Sequence, residues 1–132
     1  MVKKVVIYAD GAARGNPGPA AIAAIIKDEQ GRLITNISRR IGTATNNQAE
    51  YRAIIAALEE ATRLGAREVD IRSDSQLVVK QISGGYRVRK PALKPLYHRV
   101  KQLQRQLQGF TITYSPRQQN TEAHNLAHLA LR

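Results

Sequence analysis

Between Asn47 and Leu64 the apolar residues Ala49, Ala53, Ile54, Ala57, Leu58, Ala61 and Leu64 return at three- and four-residue steps. That is the spacing of one face of an α-helix, and Gly65 follows where a helix C-terminal cap belongs. A helix with one apolar face needs a layer to bury it against, and the chain ahead of it supplies strands. Val2–Tyr8 (VKKVVIY) and Ala20–Lys27 (AAIAAIIK) are apolar runs of strand length on either side of a glycine-proline loop. Leu33–Ile41 (LITNISRRI) alternates as a third strand after the turn EQGR, so the opening third reads as an antiparallel meander. Beyond the long helix, Glu68–Arg72 is a short strand and Ser75–Ile82 a short helix. Pro91 and Pro95 frame the start of a helix reaching about Leu107, Phe110–Tyr114 is a last strand, and a helix runs from Thr121 to the end. A meander followed by strands alternating with helices implies an α/β fold, a mixed sheet with helices on its faces. At 132 residues, without linker or repeat, positions 1–132 are read as one domain.

Charge narrows the partners. Lys and Arg number 21 against 10 Asp and Glu, a formal net charge of +11, which suits a protein that meets a polyanion. Nucleic acid is the partner expected. No apolar span, signal-like start or lipidation motif points to a membrane, and a cytoplasmic protein is expected. With no cysteine there are neither disulfides nor thiolate metal sites.

The acids are few, and three fall at suggestive places. Asp10 ends the first strand in YADGAARGNPGPAAIA, Asp74 ends another in RSDSQ, and Glu50 lies in the first turn of the long helix within TNNQAEY. Taken singly, each has a plain explanation: a turn residue, a neighbour of an N-cap, a carboxylate answering the helix dipole. Ligands of open sheets, however, collect at the carboxyl ends of the strands. Three carboxylates gathered there repel one another and need a cation. Oxygen donors without Cys, and with no His in these three segments, suit Mg²⁺ or Mn²⁺ rather than zinc. An acidic pocket holding divalent metal within a basic surface is what phosphodiester chemistry requires.

YADGAARGNPGPAAIA, TNNQAEYRAIIAAL, RSDSQLVVKQI and NTEAHNLAHLA together resemble, in order and separation, the successive blocks of type 1 ribonuclease H. These enzymes cut the RNA strand of RNA/DNA hybrids. The resemblance implies a ribonuclease H-like fold: a five-stranded mixed sheet, an antiparallel meander and then parallel strands, with helices on both faces. It implies a site of two Mg²⁺ or Mn²⁺ ions with Asp10, Glu50 and Asp74 among the ligands, and cleavage that leaves 5′-phosphate and 3′-hydroxyl ends.

One block departs from the family. Where N-x-x-A-D-x-L-A is usual, this chain reads Asn120, Thr121, Glu122, Ala123, His124, Asn125, Leu126, Ala127. Without gaps, His124 takes the place of the fourth aspartate. Imidazole is a poor ligand for hard Mg²⁺, whereas the amide oxygen of Asn125 is chemically suitable, so Asn125 is favoured as the metal-side group after a slight shift of the last helix. The alternative keeps the register and puts His124 at the site as proton carrier or phosphate contact. Either way one negative charge is missing, and the metal beside it is expected to bind less tightly. His98 is expected on a helix surface, and His128 as a partly exposed structural residue.

By the same resemblance Asn16, Asn46 and Gln76 contact the hybrid across its minor groove, where the 2′-hydroxyl distinguishes RNA. Gly11 would let the RNA backbone approach, and Thr45 would meet a DNA-strand phosphate. For Asn16 and Asn46 a turn or cap role competes. The basic helix some members carry is replaced by GGYRVRKPALK, as in compact archaeal-type members; Arg87, Arg89, Lys90 and Lys94 could supply part of its phosphate attraction. No separate hybrid-binding domain is read ahead of these blocks and no protein partner is implied. A monomer whose affinity falls steeply with salt is expected. Two rival readings stay open: a hybrid-binding module impaired in cleavage, and a related two-metal nuclease.

Overall fold

The computed structural model describes residues 3–132; Val2, the expected start of the first strand, lies outside them. β1 (Lys4–Ala13) continues well past Tyr8 because β2 (Gly18–Lys27) folds back along it and pairs as far as Ala13 with Ala20. Asp10 and Gly11 are therefore strand residues, and the expected loop shrinks to positions 14–17. β3 (Leu33–Ala44) completes the meander and runs on beyond Ile41. β4 (Glu68–Ser73) and β5 (Gly109–Tyr114) then join in parallel, giving one five-stranded sheet in the order β3-β2-β1-β4-β5.

α1 (Asn46–Arg63) starts sharply. Thr45 Oγ1 accepts from Gln48 N at 3.1 Å while Gln48 Oε1 accepts from Thr45 N at 2.8 Å, a reciprocal cap. It ends at Gly65, whose φ of +84° is open to a residue without Cβ; Gly65 N and Ala66 N close on Thr62 O and Ala61 O. Six of the seven periodic apolar residues are buried, Leu64 only partly. Ala53 to Ala61 rest on Val5, Ile7 and Ala9 of β1 and Ile22, Ala24 and Ile26 of β2, while Ala49 packs with Ala20 and Ala44. α2 (Gln76–Ile82) and α3 (Lys94–Arg105) add Val78, Ile82, Val100 and Leu103 to that core.

Side chains of a strand alternate between faces. The intervening residues Ala12, Ala21 and Ala23 form a second apolar cluster with Ala127 of α4 (Thr121–Ala130) and with Leu131. Helices thus cover both faces, α1 on one and α4 on the other. A single 3₁₀ turn, Arg117–Gln119, leads into α4 and was not expected from sequence. Residues 83–93 form a helix-free turn with Arg87, Arg89 and Lys90 exposed, and His98 is exposed on α3. Among the described residues, no helix is long and apolar enough to cross a membrane.

Candidate active site

Asp10 is the first residue beyond the parallel pairing of β1 with β4, whose last pair is Ala9 with Ser73, and Asp74 directly follows β4. Parallel strands end side by side, so two acids distant in sequence meet at the carboxyl edge of the sheet. Alternation then separates Asp10 from its neighbour. Asp10 shares a face with Ala12, toward α4, and Gly11 faces α1.

Glu50 arrives through that glycine. Gly11 N donates to Glu50 Oε1 at 3.0 Å, and a Cβ on Gly11 would stand 2.2 Å from the backbone carbon of Ala49. The missing side chain is needed for α1 to seat on β1, and Gly11 also lines the cleft beside Asp10. Ser73 Oγ donates to Glu50 Oε2 at 3.5 Å. Because α1 begins at Asn46, Glu50 lies past the first turn, so an answer to the helix dipole does not explain it.

Asp10 is 1% exposed, and its Oδ1 has no hydrogen-bond partner. Its Oδ2 lies 3.1 Å from His124 Nδ1. One ligating atom each from Asp10, Asp74 and His124 fall within 4.8 Å of one another; Glu50 stands beside this set rather than in it. Burial, chiefly, raises the Asp10 carboxyl above the usual range; the neighbouring Glu50 carboxyl opposes that as a hydrogen-bond partner, the charge of Asp74 adds to it, and His124 opposes it. Glu50 is pushed up much further, first by burial and then by Asp10. A buried carboxylate oxygen without a donor, among acids whose charge is disfavoured, fits a cation.

The last helix settles the register. Ala123 and Ala127 are fully buried against the sheet, and Asn120 Nδ2, at the helix start, donates to Ala9 O at 3.0 Å. His124 then meets Asp10. Asn125 is exposed and lines a different groove with Ile25, Asn36 and Leu129. The preference for Asn125 as the metal-side group is therefore corrected: adjacent helical residues point about 100° apart, and the packing of Ala123 and Ala127 leaves no room for the shift it required.

Two neighbours were not foreseen as site residues. Arg117 Nε, from the 3₁₀ turn, donates to Asp74 Oδ2 at 3.2 Å. The His128 ring lies 4.2 Å from that of His124. Both line, with Asp10, Glu50, Asn46 and Ser75, a cleft of about 390 Å³. No local pattern marks Arg117, but the apolar stripe Ala123, Ala127, Leu131 would have set His124 and His128 on a shared flank.

Of the residues expected to touch substrate, Asn16 Oδ1 accepts from Asn46 N at 2.9 Å and Asn46 Oδ1 accepts from Ala13 N at 3.1 Å. These bonds tie the β1–β2 loop to the start of α1. Both side chains are exposed, and so is Gln76 at the start of α2, next to the cleft residue Ser75. Thr45 is the N-cap already described.

A five-stranded mixed sheet with acids at the carboxyl edge of its central strands is the ribonuclease H-like class of fold. A crystal structure of RNase H1 from Halobacterium salinarum superposes with a TM-score of 0.95 at 43% identity, over 97% of both chains. LC11-RNase H1 in complex with RNA/DNA hybrid gives 0.91 at 39% identity, over 96% of this chain and 95% of that one. The family model described as Reverse transcriptase-like matches residues 8–130. In sequence, Ribonuclease HI of H. salinarum is 43% identical over 128 residues, 97% of this chain and 64% of the relative. A bifunctional protein of Mycobacterium tuberculosis is 43% identical over 129 residues, 97% of this chain but 35% of its own length. The chain thus spans about a third to two thirds of these relatives. It belongs to the type 1 ribonuclease H family.

Proposed function

We propose that the chain is a divalent-cation-dependent endoribonuclease that hydrolyses the RNA strand of an RNA/DNA hybrid, leaving 5′-phosphate and 3′-hydroxyl ends. The observation that carries the reading is the buried Asp10 carboxyl, one oxygen unpartnered, gathered with Asp74 and His124 and beside Glu50. Asp10, Glu50 and Asp74 would hold the cations, with His124 at the fourth position. When bound, two such ions supply an activated water and a stabilised leaving oxygen.

The remaining residues position and bind. The Gly11 N–H and Ser73 hydroxyl orient Glu50, and Arg117 steadies Asp74. Asn16, Asn46 and Gln76 lie where exposed amides can both donate to and accept from a 2′-hydroxyl. The net charge of +11 draws the duplex, so a monomer binding through phosphate contacts loses affinity steeply as salt rises. The structure of LC11-RNase H1 in complex with RNA/DNA hybrid supports the choice of substrate.

The test is incubation with a labelled RNA/DNA hybrid, the matching RNA duplex and the DNA duplex, each with Mg²⁺ or Mn²⁺. Cutting of the hybrid's RNA strand is the expected outcome. Cleavage of the DNA duplex alone overturns the reading in favour of another two-metal nuclease. Hybrid binding without cleavage under either metal selects a binding module.

A further inference from the structure

We propose that His124 makes this a mixed carboxylate–imidazole site that takes a borderline transition-metal ion, of the class of Co²⁺ or Zn²⁺, in preference to Mg²⁺. The inference rests on the reading of the acids as cation-holding groups and names the cation they hold. An oxygen-only site was the expectation from Asp10, Glu50 and Asp74. The structure changes the donor set, because the third ligating atom within 4.8 Å of those of Asp10 and Asp74 is an imidazole nitrogen. Oδ1 of Asp10 is buried and unpartnered there, a second sign that the pocket is built around a positive ligand.

Ligand chemistry decides which one. Mg²⁺ demands oxygen donors and keeps much of its water, whereas a site that offers nitrogen binds more tightly along the series from Mn²⁺ to Cu²⁺, with Zn²⁺ also favoured. His128 stands one helical turn after His124, with ring centres 4.2 Å apart, on the wall of the same cleft, outside the set of three ligating atoms but close enough to report on an ion held there. His124 replaces a carboxylate of the family pattern, so the site has lost a charge that Mg²⁺ needs and gained a donor that it uses poorly.

The experiment uses the full chain with Co²⁺ as the probe, by calorimetry and by NMR of the histidine rings. Co²⁺ is expected to bind at least about tenfold more tightly than Mg²⁺ and to shift and broaden the His124 and His128 ring signals. His98, exposed on α3, stays unperturbed as the internal control. His124→Asp is expected to weaken Co²⁺ by at least the roughly 10- to 100-fold seen when even an outer partner of a metal ligand is lost. The same variant tightens Mg²⁺. His124→Ala, which removes the donor and puts no oxygen in its place, weakens Co²⁺ without helping Mg²⁺. Co²⁺ binding no tighter than Mg²⁺, or tight binding that leaves both rings untouched, overturns the proposal. So does a His124→Asp chain with unchanged Co²⁺ affinity. Hybrid cleavage is scored separately: Co²⁺ seated on the His124 imidazole with no cleavage under any metal refutes the function and leaves this site standing. Cleavage with Mg²⁺ and no imidazole contact does the reverse.

Discussion

Asp10 and Asp74 leave neighbouring strands at the same edge of the sheet, yet their charges are met in different ways. Asp10 sits inside β1 and has His124 on one oxygen and nothing on the other. Asp74, just past the end of β4, gives Oδ2 to Arg117, a side chain 64% exposed. An acid carried within a strand is fixed by pairing on both sides of it, while one just past a strand end can be met by a side chain of a connector. Both side chains are nearly buried, Asp74 being 5% exposed. The contrast separates an acid with an unpartnered oxygen from one with a guanidinium partner.

The strongest way to break the contrast is Asp10→Asn, which should lower hybrid cleavage by roughly 10³-fold, the scale on which a catalytic constellation fails when a member is lost. Hybrid binding in a filter assay should persist or tighten, since a negative charge near phosphate is gone. Retained cleavage would mean that the site is misassigned. Gly11→Ala comes next. Its Cβ would overlap the Ala49 backbone, so urea unfolding should show a loss of about 1–3 kcal/mol or more, with cleavage falling as Glu50 is displaced.

Arg117→Ala sharpens the comparison by making Asp74 resemble Asp10. Without the guanidinium, the divalent-ion concentration giving half-maximal cleavage should fall a few-fold; a rise would show that Arg117 serves the substrate instead. Glu50→Gln tests the cost of buried acids. Burial and Asp10 raise the Glu50 carboxyl, so the folded chain holds that proton more firmly than the unfolded chain does. In EDTA, stability is then fully present below the unfolded value, about pH 4, and is lost as pH rises through the higher folded value. The variant should melt a few degrees higher than the parent at pH 8 and no higher at pH 4, by calorimetry. The smallest effect is expected of Asn125→Asp: with that side chain facing the other groove, rate and metal dependence should not change, and stability should move by less than about 0.5 kcal/mol. A changed metal dependence would return Asn125 to the site.

Much of this was legible in the sequence, for reasons that differ by residue. The stripe from Ala49 to Ala61 announced α1, since burial on one side imposes its period directly. Asp10 and Asp74 could be placed at the sheet edge because each ends an apolar run. The extent of β1 was less legible: Asp10, Gly11 and the alanines after them look like loop, and only pairing with Ala20–Ala23 makes them strand. The packing demand on Gly11 was hidden for a similar reason, as its crowding comes from Ala49, far along the chain. Arg117 was invisible because a lone arginine in a connector carries no period, and its meaning depends on where β4 ends.

By itself the order of residues determined the strands, the helices, their sequence and the identity of the acids, because periodic burial and strand-end placement are local properties. Which of His124 and Asn125 faces Asp10 was decided by tertiary structure alone. The rotation of a helix is set by what its apolar stripe packs against, and here Ala127 and Leu131 on the alanines of β1 and β2, with Asn120 bonded to Ala9, turn the imidazole toward the acids and the amide away.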